Sequence, residues 1–181
     1  MNVRLLLAMF LCAVVAVAGA AAPTSDFAEA LVAANRSPEI APHEDVYAKL
    51  LGTWDVQARD RTDSGAFQVT EGEWLFARTL EGRAVQDVWI APNRYGTSVR
   101  TFDPRTRTWQ VTWFNPVTGA FDVLHTRMEG ERIVQEGTQG NGRRLRWIFQ
   151  DITDTRFHWT GEAQLPDGSW RLEAEFFGRR R

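Results

Sequence analysis

The sequence predicts an all-β fold, an antiparallel up-and-down β-barrel of about ten strands behind a short N-terminal helical segment. Three observations carry that prediction. From Gly52 onward, β-branched and aromatic residues alternate with polar ones at period two, as Trp109, Val111 and Trp113 do against Gln110 and Thr112. Turn signals separate these runs at regular spacing, from Asp63-Ser64-Gly65 and Glu81-Gly82 through Asp103-Pro104 and Asn115-Pro116 to Gly140-Asn141-Gly142 and Pro166-Asp167-Gly168. No helical crossover interrupts them. A single twisted sheet of that many strands curls, and closing it removes the exposed edges. A two-sheet sandwich is the alternative, but the long Greek-key connections it wants are missing.

Taken in order, the chain opens on an address. Arg4 gives a positive start, Leu5 to Val17 is unbroken apolar sequence, and Ala18-Gly19-Ala20 offers small residues for cleavage. Residues 1–20 therefore read as a signal peptide, and the mature protein as periplasmic or secreted. The apolar run is shorter than the roughly 20 residues of a spanning helix, so no stable membrane insertion is expected after cleavage. Cys12, the only cysteine, lies within the leader. The mature chain then has no thiol for a disulfide, a nucleophile or a metal, and it must be held by its core.

Residues 21–45 form an arm in which Asp26 caps a short helix from Phe27 to Ala34. A second short helix is expected from His43 to Leu51, stopped by Gly52, with the role of plugging or flanking one end of the barrel. The barrel domain takes residues 46–181. Its strands fall at about 53–61, 66–78, 83–90, 95–102, 108–114, 120–128, 131–138, 143–150, 155–164 and 169–178 by alternation. With 21 basic and 23 acidic residues mixed along these strands, no basic tract points to nucleic acid. Arg179-Arg180-Arg181 reads as a solvated basic end.

Two stretches bring a resemblance into view. Leu51-Gly52-Thr53-Trp54 looks like the small-Gly-aromatic entry of lipocalins and related ligand-binding barrels. Gly72-Glu73-Trp74-Leu75-Phe76, then Leu80-Glu81-Gly82-Arg83, then Phe102-Asp103-Pro104 with Trp109 and Trp113, resembles an uncharacterised bacterial lipocalin-like domain family of unknown function. The resemblance covers about residues 46 to 181 and implies a calycin-type β-barrel. It brings no catalytic residues with it.

Candidate chemistry is sparse. The eight tryptophans fall on most strands, usually in the inward phase, and such a barrel is either filled by them or holds one ligand. His125 and Arg127 share a phase with Phe121 and Val123, read as inward, where they would meet a ligand's polar end. His158 reads as outward and His43 as exposed. Arg78, Arg83, Arg100, Arg144 and Arg146 read as partners in ion pairs outside the barrel. Glu71 with Glu73, and Glu173 with Glu175, read as charged stripes on the outer face rather than acid/base pairs. No serine-nucleophile or histidine metal motif is present, and no cofactor is expected.

The leading expectation is an exported protein binding a small hydrophobic or amphipathic molecule at Trp89, Trp113, Trp147 and Trp159, with His125 or Arg127 at its polar end. One alternative is an isomerase, cyclase or hydrolase acting on a lipid-like substrate inside the barrel. Another is a structural protein whose barrel is packed solid.

Overall fold

Even strand number lets a meander close antiparallel, because its first and last strands then run in opposite directions. In the computed structural model, which describes residues 26–92 and 94–181, the chain uses that closure. The strands are β1 (Gly52–Arg61), β2 (Phe67–Thr79), β3 (Ala84–Ala91), β4 (Arg94–Asp103), β5 (Thr108–Asn115), β6 (Ala120–Glu129), β7 (Arg132–Gln139), β8 (Arg144–Gln150), β9 (Arg156–Gln164) and β10 (Trp170–Arg180). Each pairs with its sequence neighbour, and β1 pairs with β10 to complete a closed ten-strand barrel. The expected leader, residues 1–20, lies outside the described residues.

The turns form as their residues dictate. Asp103 Oδ1 accepts the Arg105 N–H at 2.9 Å, and Asn115 Oδ1 accepts the N–H groups of Val117 and Thr118 at 3.0 and 3.2 Å. Strand limits sit within one or two residues of the sequence expectation, since period-two patterns end where the turn residues begin.

The arm is less helical than its sequence pattern. Asp26 does cap a helix, accepting the Ala28 N–H at 2.9 Å, but the helix α1 runs only over Phe27–Leu31. Val32 then leaves it to bridge Thr79 on β2. In place of a second α-helix there are two 3₁₀ turns, Pro42–Glu44 and Ala48–Leu50. Apolar burial against the barrel, not intrinsic propensity, fixes such short turns. The second turn and the residues before it close one end. Ile40, Tyr47 and Leu50 are fully buried against Trp54, Phe102 and Trp109. Polar ties lock this plug: Arg78 grips the Asp45 carboxylate at 3.0 and 2.6 Å, and Trp109 Nε1 donates to the Glu44 carbonyl at 2.7 Å. Tyr47 reaches deepest, its hydroxyl bonded to Thr126 Oγ1 at 2.6 Å and accepting from Gln135 Nε2 at 2.7 Å. Burial raises the Tyr47 phenol's pKa, so it stays a neutral hydroxyl in this network.

Arg180 is not a solvated end. Its guanidinium lies over the Trp54 indole at 4.1 Å and donates to the carbonyls of Leu51, Lys49 and Asp154 at 2.6, 2.7 and 2.5 Å. Gly52 makes room for it: a Cβ there would stand 2.7 Å from Arg180 Nη1, and its φ of +114° is closed to other residues. The entry Gly-x-Trp of β1 and the end of β10 thus interlock at the closing seam.

Candidate functional site

At the plugged end, aromatic side chains fill the barrel. Trp54, Phe76, Phe149 and Phe157 pack edge to face, with ring centroids 4.9 to 6.2 Å apart. Towards the other end the packing opens into a cavity of about 390 Å³, lined by Trp74, Trp89, Trp113, Trp147, Trp159 and Phe176, with Arg100 and Ser98 on its wall and Asn115, Thr118 and Gln139 at its rim. A larger groove, about 750 Å³, crosses the outer surface near Asp55, His158 and Phe177. Its walls carry charged side chains beside His158 and Phe177 and face solvent, whereas six aromatic side chains converge on the interior space, as they do in a small-molecule site.

Glycines keep that interior open. Rings press against the barrel wall where the wall has no side chain: a Cβ at Gly72 would meet the Trp89 ring at 2.7 Å, one at Gly96 the Trp113 ring at 2.3 Å, and one at Gly161 the Trp159 ring at 2.7 Å. Of these three, only Gly161 has side-chain atoms alone as its close neighbours. Gly161→Ala is therefore expected to tip the Trp159 indole off the wall, at an overpacking cost of about 1–3 kcal/mol. A shifted tryptophan emission spectrum with a modestly lowered urea midpoint checks this; an unchanged spectrum contradicts it.

Polar groups on the interior are few and mostly engaged. Asp87 and Arg100, 0 and 1 % exposed, form a buried ion pair, Nη1 to Oδ2 at 2.5 Å, while the other carboxylate oxygen accepts the Ser98 N–H at 3.0 Å. Tyr47, Phe76 and Phe149 surround the guanidinium at 5.1, 5.4 and 5.8 Å. Among the described residues, Arg100 Nε, Trp74 Nε1 and Trp159 Nε1 are buried without a hydrogen-bond partner. All three belong to side chains that line the cavity.

A solved structure agrees with this barrel. The crystal structure of Rv2717c from M. tuberculosis aligns with a TM-score of 0.55 at 13% identity, covering 78% of this chain and 99% of that one. At that identity the likeness speaks for the fold alone. EF1p2_mFAP2b bound to DFHBI aligns at a TM-score of 0.38 and 11% identity over 76% of this chain and 98% of that one, too slight to carry an argument. No protein-family model and no curated protein matches the chain.

Of the side chains singled out in the sequence, Trp89, Trp113, Trp147 and Trp159 come together on the one cavity. His125 and Arg127 do not join them. Both are exposed on the outer face of β6, where Arg127 pairs with Glu129 and Glu136, and the inward phase belongs to Asp122, Leu124 and Thr126. The hairpin register decides this. Asn115 pairs with Ala120, so Trp113 stands opposite Asp122 and Val111 opposite Leu124, and cross-strand partners share a face. Counting across that turn from an inward Trp113 would have found it; the apolar Phe121 and Val123 pointed the other way.

Arg100 reverses its expected placement too, being inside rather than in an outer ion pair. The sequence carried one sign of it, since Phe102 shares its phase and is buried. The counter-charge that permits an inward Arg, Asp87, sits on the preceding strand and is not legible without register. The outward assignments of His158 and His43 hold. His158 lies on the outer face, stacked on Phe177 and 2.9 Å from Glu175, and His43 is exposed.

Asp122 faces the interior beside Trp113 and Gln139, and burial raises its carboxyl pKa above the ordinary 3.8. A raised carboxylate pKa means the folded state keeps a proton the unfolded chain has released, so stability falls as pH climbs through that window. Asp122→Asn is thus expected to raise the unfolding temperature at pH 7, the gain shrinking to nothing below about pH 3.8. Melting curves across pH 3 to 8 check the sign.

Proposed function

We propose that this protein binds a small hydrophobic or amphipathic molecule inside its barrel, held among Trp89, Trp113, Trp147 and Trp159. The observation that carries the reading is the cavity itself. At about 390 Å³ it falls within the roughly 300–1,000 Å³ of ordinary ligand sites, where a barrel packed solid would leave voids no larger than a water molecule or two. Flat aromatic walls favour a planar apolar body by stacking and by area removed from water. The closed end, sealed by Tyr47 and Leu50, makes the opposite rim at Asn115, Thr118 and Gln139 the entrance.

The lipocalin-like assignment belongs to the same proposal. Its support is the ten-strand up-and-down closure together with the Gly52-Thr53-Trp54 entry, over which Arg180 of the last strand closes. Export to the periplasm or medium rests on the apolar run Leu5 to Val17 and its small-residue exit; a mature N-terminus at or next to Ala21 in the envelope or medium fraction is its test.

The binding reading is tested by titrating the tryptophan emission of the mature protein with a two-ring aromatic probe such as 2-acetylnaphthalene. A saturable change that Trp147→Ala weakens at least fivefold supports it. A response that is absent, or that Trp147→Ala leaves unaltered, removes the interior as the site.

A further inference from the structure

The polar groups around the cavity define the head group it accepts. Among the described residues, the buried atoms of its wall that lack a hydrogen-bond partner are donors: the N–H of Trp74, the N–H of Trp159 and Nε of Arg100, in residues 4, 7 and 1 % exposed. A buried donor without an acceptor is costly, and an incoming acceptor relieves that cost. Three such donors ask for a carbonyl, quinone or ether oxygen.

Charge then separates a neutral acceptor from an anion. Arg100, the cation among the described residues of the wall, is already neutralised by Asp87 at 2.5 Å. Two further ionisable groups at this end are acidic: Asp60 on the lining, and Asp122 across from Trp113. A carboxylate entering here would add a second negative charge to a balanced buried pair. A cationic ligand would suit the aromatic faces, but an ammonium has no acceptor and would leave the three donors unanswered. Resting on the binding reading above, we infer that the natural ligand is an uncharged, planar aromatic carbonyl compound, of the quinone or aryl-ketone class. Its oxygen lies against the Arg100, Trp74 and Trp159 donors, and its rings lie between Trp89, Trp113 and Trp147.

Four probes sharing one ring system test this by isothermal titration calorimetry of the mature protein at pH 7: 2-acetylnaphthalene, 2-naphthoate, 2-naphthylmethylammonium and 2-ethylnaphthalene. The ketone is expected to bind at least tenfold more tightly than either ion and several-fold more tightly than the hydrocarbon. Trp159→Phe keeps an aromatic ring and removes one N–H, so it is expected to cut the ketone-to-hydrocarbon affinity ratio at least threefold. Naphthoate or the ammonium equalling the ketone would overturn this inference and leave the binding reading standing. A ratio unchanged in Trp159→Phe would also overturn it. If none of the four probes binds, the binding reading falls and takes this inference with it.

Discussion

Arg100→Met is expected to lower the unfolding free energy by about 3–5 kcal/mol, and the double variant Asp87→Leu/Arg100→Met to recover most of that loss. The reason is the desolvation of both ions. Asp87 and Arg100 are removed from water almost completely, and each depends on the other for its charge compensation. Removing the guanidinium alone leaves a buried carboxylate held by the Ser98 N–H without a counter-charge. Removing both charges and filling the volume with apolar side chains leaves nothing unpaired except that N–H. Urea unfolding of the two single variants and the double one measures the coupling directly. A double variant as unstable as Arg100→Met would show that the loss came from packing against Tyr47, Phe76 and Phe149 instead.

Arg180→Ala should be the other severe substitution, at roughly 2–4 kcal/mol. One guanidinium there satisfies three carbonyls from two different segments and covers the face of Trp54, whose own Nε1 donates to the Leu50 carbonyl at 2.6 Å. Hydrogen bonds from a charged donor are worth about 1.5–3 kcal/mol each and do not simply add; partial solvent access lowers the total. Arg180→Lys is the informative control. An ammonium on a flexible stem cannot hold three divergent acceptors and stack on the indole together, so most of the loss should persist. A lysine variant as stable as the wild type would mean that charge alone, and not the fork geometry, closes the seam.

Both residues show where the sequence was and was not readable. Strand positions and turns were legible because alternation and turn chemistry are local: Asp103 and Asn115 make the backbone bonds their types announce. The inward tryptophans were legible because an aromatic in phase with Val111 has one apolar face to occupy; Trp170, at the start of β10 beneath Arg146, is the exception. What failed was phase on strands whose two faces look alike. On β6, Phe121 and Val123 outweigh Leu124 in hydrophobicity, yet they lie outside, where Phe121 packs on Phe114 at 5.2 Å. On β4, an Arg in the inward phase contradicts composition until Asp87 is set beside it. Arg180 was missed because its partners are carbonyls of residues 49, 51 and 154, which no side-chain pattern records. The cavity end was thus half visible: its rings could be read, its inward Arg100, Asp87 and Asp122 could not.

The most direct test of a hollow, ligand-binding barrel is a crystal soaked with 6-bromo-2-acetylnaphthalene and measured at the bromine absorption edge. A hollow barrel predicts one strong anomalous peak in its interior, between Trp89, Trp113, Trp147 and Trp159. A peak confined to the outer groove by His158 and Phe177, or none in crystals soaked to saturation, would contradict it.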